Sequence, residues 1–93
     1  MKRYRYNDIL GFKAGERYCE SCQYGNIWFT VKTDAVETDD GEYKKVRFVG
    51  VTDDGKEIEY LVTKGFEHYG PQIYDEPAYL SLADIQKILN TKE

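Results

Sequence analysis

The sequence predicts a mainly β, α+β fold: a curled antiparallel meander of four or five strands with one C-terminal helix at about 81–90. Three observations predict it. Gly25-Asn26, Asp40-Gly41 and Asp54-Gly55 separate runs rich in β-branched and aromatic residues, the pattern of two-residue hairpin loops. In the register set by those loops, apolar residues collect on one face. The last stretch, "YLSLADIQKILN", changes to helical spacing behind a serine. An SH3-like small barrel is the favoured variant, and a flatter sheet covered by the helix is the alternative.

The head, "MKRYRY", is basic and aromatic. Strands are expected near 17–24, 27–37, 43–52 and 57–63. Two-residue loops pair Cys22 with Phe29, Arg17 with Asp34, Asp34 with Arg47, Ala35 with Val46, Phe48 with Leu61 and Val49 with Tyr60. One face then carries Tyr18, Cys22, Tyr24, Ile27, Phe29, Val31, Ala35, Val46, Phe48 and Leu61. The other carries the charge ladder Arg17–Asp34–Arg47, with Glu37–Lys44 beside it, and an apolar patch of Trp28, Val49, Val51, Ile58, Tyr60 and Val62. A sheet apolar on both sides needs cover on both. The helix supplies one cover. Curling of the sheet, with Ile9, Leu10 and Phe12 closing the gap, supplies the other. Gly50 marks a bend or bulge. Glu20 is a misfit, because this register places it beside Val31 on the apolar face; a bulge at Glu20-Ser21 relieves it.

The helix is justified locally. Ser81 is the N-cap, Asp84 completes a capping-box variant, and Leu80 and Ile85 form a staple. Leu82, Ile85, Ile88 and Leu89 share a face, and Asn90 stops the helix.

Ninety-three residues suit one domain, residues 1–93, with a modest core. Tyrosine is overrepresented, with nine among a 15% aromatic content, as suits half-buried sheet faces and binding surfaces. A net charge of −4 argues against broad nucleic-acid binding, which relies on Lys and Arg at phosphates. No apolar run is long enough to span a bilayer and no secretory leader is visible, so a cytoplasmic protein with reduced thiols is expected.

Cys19 and Cys22 are the only cysteines, in CxxC spacing. A four-cysteine zinc site needs a second pair, and a redox CxxC opens a helix, whereas "CQYGNIWFTV" continues into a hairpin. In a strand the two thiols point to opposite faces, unless Glu20-Ser21 bulges. Zinc held by Cys19, Cys22 and His68 is therefore a secondary reading, and no cofactor is the primary one. No catalytic constellation is visible, so a non-enzyme is expected. The paired aspartates before Gly41 and Gly55 read as turn residues.

The best functional candidate is the segment 64–79, which is long for a connection in a compact domain. Phe66, His68, Tyr69, Tyr74 and Tyr79, together with Trp28 and Tyr60, are the expected contacts to a protein partner. The alternative is that these rings plug the open end of the sheet. Lys2, Arg3, Tyr4, Arg5 and Tyr6 offer a further reading, contact with single-stranded nucleic acid. A small interaction module is the leading expectation, and its size and plainness suit a phage or mobile-element accessory protein.

Overall fold

The structure, a computed structural model, describes residues 2–22, 25–78, 85–86 and 89–90. In chain order it contains α1 (Tyr6–Ile9), β1 (Arg17–Cys22), β2 (Gly25–Val31), β3 (Val36–Asp39), β4 (Lys44–Thr52), β5 (Glu57–Thr63), a 3-10 turn (Glu67–Tyr69) and β6 (Ile73–Tyr74). The strands form one open antiparallel sheet. β5, β4, β2, β1 and β6 lie side by side, and β3 pairs with β4. Among the described strands nothing joins β5 to β6, so the expected SH3-like closure is not formed.

The turns set the registers, and each differs from a two-residue loop at the expected place. Asp53-Asp54-Gly55 is a three-residue loop: the Thr52 N–H reaches the Lys56 carbonyl at 2.8 Å, and Gly55 has φ +87°. Glycine in the left-handed region at the end of a three-residue hairpin is the usual bulged form. One extra loop residue flips every side chain of the strand to the other face. Val46 therefore pairs with Val62, Phe48 with Tyr60 and Gly50 with Ile58. Tyr60 and Val62 are buried, while Leu61, expected inside, is exposed.

The first turn also moves. β1 pairs with β2 from Arg17↔Thr30 to Cys22↔Gly25, so Gly25 and Asn26 lie in a strand and residues 23 and 24 lie between the paired residues in sequence. Those two residues, including Tyr24, lie outside the described residues. The slip is even in number, so Tyr18 and Phe29 still share a face. Glu20 sits opposite Ile27 in an unbroken ladder, with no bulge.

The expected long second strand is broken into β2 and β3. Val31 faces Gly50 and Val36 faces Arg47, so four residues on one side match two on the other. The charge ladder drawn from the continuous register is replaced. Arg17 pairs with Asp53, Arg47 with Glu59, Lys32 with Glu57 and Lys13 with Asp34.

The core lies on the face carrying Phe29, Val31, Val46, Phe48, Tyr60 and Val62, and it is covered by the N-terminal residues. Tyr6 and Ile9 of α1 are buried in it. Phe12 stacks on Tyr18 with centroids 3.9 Å apart and meets Phe48 edge-on at 5.4 Å. Ile9 and Phe12 are buried in the core and Leu10 packs against it, while the sheet itself stays open. The expected C-terminal helix falls mostly outside the described residues. Ile85 and Leu89, which do not, are exposed rather than packed on the sheet. The head is tied down along β6: the Tyr4 N–H donates to the Ile73 carbonyl at 2.9 Å and the Asp75 N–H to the Lys2 carbonyl at 3.1 Å.

Gly50 is neither bulged nor in an unusual conformation. A Cβ there would stand 2.7 Å from the Phe29 ring and 2.9 Å from the Tyr60 ring. The two rings, with centroids 4.7 Å apart, occupy the space a side chain would take.

Candidate functional site

β4 ends at Thr52, and β2 pairs with it only over Phe29–Val31. The remainder of β2, toward Gly25, runs on without a partner on that side. A cleft opens there between the β1–β2 and β4–β5 hairpins. Three cavities of about 490, 470 and 340 Å³ share walls along it: Ile58 borders the first two, Ile27 the first and third, and Glu20 the second and third.

Glu20 is half-buried on the apolar face, opposite Ile27 on one side and Ile73 on the other. The Tyr60 hydroxyl donates to its Oε1 at 2.9 Å. Burial, and then the neighbouring Glu20 charge, push the Tyr60 phenol above its ordinary range, so it stays a neutral donor. The Glu20 misfit is thus real, and it is met by a hydrogen bond rather than by a bulge.

At the far end of β5 stands an aromatic ridge. Tyr43, from the β3–β4 connection, meets Phe66 edge-on at 5.3 Å. Phe66 lies 6.5 Å from Tyr69, and Tyr69 lies 4.0 Å from the His68 ring. Tyr69 is 80% exposed, Phe66 44% and Tyr43 39%. The ridge is built on a short excursion: Gly65 has φ +87°, and the Phe66 and Tyr69 N–H groups return to Thr63 and Phe66. Tyr69 also borders the 470 Å³ cavity with Glu20, so ridge and cleft are continuous.

The expected contact residues divide. Phe66, His68 and Tyr69 come together on the surface. Tyr74 is buried opposite Cys19. Tyr60 is 2% exposed and lies in the core, whereas Trp28 is on the other face beneath the Arg17 guanidinium, 5.1 Å from its ring centroid. The expected Trp28–Tyr60 patch therefore does not exist. Tyr79 lies outside the described residues. Tyr43 was missed; its only signal was a position just after the Asp40-Gly41 turn, where an aromatic is displayed unless a neighbour covers it.

In the head, Lys2, Arg3 and Arg5 are exposed. Tyr6 is buried, with its hydroxyl donating to Glu37 at 2.7 Å, and Tyr4 packs edge-on against Phe12 and Tyr18. Both rings needed for stacking on bases are thus engaged in the fold.

Cys22 keeps the Phe29 face and Cys19 the opposite one, as expected, but the burial is reversed: Cys19 is fully buried and Cys22 exposed. Cys19 Sγ lies 3.5 Å from the buried Ser21 hydroxyl, which donates to Asn26 and accepts the Ala78 N–H. Among the described residues no three His, Cys, Asp or Glu side chains converge as a metal site. No helix among them is long and apolar enough to cross a membrane. Comparison with protein-family models, curated proteins and solved structures finds no match to this chain.

Proposed function

We propose that the chain is a small interaction module that binds a protein partner through the ridge of Tyr43, Phe66 and Tyr69, with His68 at its side. One observation carries this reading. Most of the described aromatics are packed into the fold, yet these three, drawn from two separate connections, gather in the open, with Phe66 edge-on to Tyr43 and tilted against Tyr69. Rigid rings combine large apolar area with little entropy to lose, and they dominate protein interfaces. A clustered apolar display on a small domain is the usual mark of a contact surface.

The test is affinity capture with the intact protein and with Phe66→Ala and Tyr69→Ala, each checked for unchanged thermal stability. A partner retained by the parent is expected to weaken by about tenfold or more with either variant, the cost typical of a central aromatic contact. Equal capture by all three proteins overturns the reading.

A further inference from the structure

We propose that the cleft beside the ridge receives an arginine side chain of the partner, with its guanidinium on Glu20. This rests on the ridge reading and extends it by naming what enters. Glu20 stands on an apolar face, flanked by Ile27 and Ile73, where an ionised carboxylate is costly unless paired. Asp53, Glu57 and Glu59 each have a basic partner. Among the described residues Glu20 has none: its side chain receives only the neutral Tyr60 hydroxyl, on Oε1. Among the described residues no donor reaches the other oxygen.

The surroundings select the donor. Glu20 borders two open cavities, and the larger is also walled by Ile58, Leu61 and Tyr69. Ile58 and Leu61 suit the methylene stem of a long basic side chain. The exposed Tyr69 ring suits a planar guanidinium, which stacks on aromatic faces and presents paired N–H groups to a carboxylate. Lysine offers a compact, strongly hydrated charge and lacks both features. A net charge of −4 favours a cation.

The experiment is an NMR titration of the full chain with acetyl-Gly-Arg-Gly-amide, against matched peptides carrying citrulline or lysine. The arginine peptide is expected to shift the amides of Glu20, Ile27, Ile58 and Tyr69 saturably. Citrulline, its neutral isostere, is expected to bind about tenfold more weakly, the scale of one charge-assisted hydrogen bond. Glu20→Gln keeps a carbonyl oxygen for Tyr60 and removes the arginine preference. Tyr69→Ala, at an exposed site, weakens the arginine peptide by about threefold through loss of stacking, and it decides the matter should Glu20→Gln fold poorly. No shifts in the cleft, equal binding of citrulline or lysine, or an unaltered preference in Glu20→Gln overturns the proposal. Partner capture that depends on Phe66 alongside such a result defeats this inference alone. Arginine binding with capture indifferent to Phe66 defeats the ridge reading instead.

Discussion

Tyr60 hands its hydroxyl hydrogen to Glu20 at 2.9 Å, although β5 and β1 are separated by β4 and β2. Three strand spacings are roughly 14 Å on a flat sheet, and side chains stand nearly perpendicular to it. The two residues meet because the sheet curls, and the bond joins its two sides at the mouth of the cleft. Tyr60→Phe is expected to destabilise the fold by about 1–3 kcal/mol, since a half-buried carboxylate loses its only donor among the described residues. Urea unfolding should show a lower midpoint at unchanged slope. An unchanged midpoint would mean that water already serves Glu20.

Gly50 permits the same curl. Phe29 and Tyr60 lie where its side chain would be, and both rings are held by further stacking on Phe48. Gly50→Ala should cost about 1–3 kcal/mol, as overpacking of a filled core does. A stabilised variant, as the general preference for alanine over glycine in strands suggests, would show that the rings can move aside.

Substitutions at two glycines test the observed turns, and Gly25 separates the observed first turn from the expected one. Gly55 holds φ +87° at the end of its loop, so Gly55→Ala should destabilise by about 1–2 kcal/mol. Gly25 lies in β2 with open space around it, so Gly25→Ala should be neutral or stabilising by roughly a few tenths of a kcal/mol. The opposite ranking in thermal melts returns the first turn to Gly25-Asn26.

The cysteines should differ sharply in reactivity. Cys22 is exposed, and a maleimide is expected to label it within minutes in the native protein. Cys19 is fully buried and should react only on unfolding. Mass spectrometry of the native protein should therefore find one adduct; two adducts at equal rates would contradict the assigned faces.

Asp40 makes the β3–β4 connection sensitive to acid. Its carboxylate accepts the Tyr43 and Glu42 N–H groups at 2.7 and 2.9 Å, and Lys45 stands 3.3 Å away. These contacts, the Tyr43 one foremost, pull its pKa from 3.8 to about 2. The folded state binds the charged form better, so this contribution is complete above pH 3.8 and disappears as pH falls toward about 2. The gap in stability between the parent and Asp40→Asn should close across that window. A gap that stays constant there removes the assignment.

The strands themselves were legible, and so was a reason to doubt the two-residue loops. In "EIEYLVT", Ile58, Tyr60 and Val62 alternate with Glu57 and Glu59, which already places Tyr60 inside and Leu61 out. The Asp54-Gly55 pair points to a two-residue loop, one residue shorter than the loop formed, and so to a register one residue away from the observed Phe48↔Tyr60. In β1 no such alternation exists, since Tyr18 and Cys19 are both suited to burial. Its register was open until β2 and β6 were in place.

By itself the sequence determined a mainly antiparallel sheet, the strand positions near β4 and β5, and the separation of Cys19 from Cys22. These follow from local preference and from the two-residue period, which survive an even slip of register. The tertiary structure alone decided loop length, and with it the register of β5 on β4, the bond from Tyr60 to Glu20, and the meeting of Tyr43 with Phe66. Those depend on contacts between residues distant in the chain, where a single residue gained in a turn reverses which side of the sheet a ring occupies.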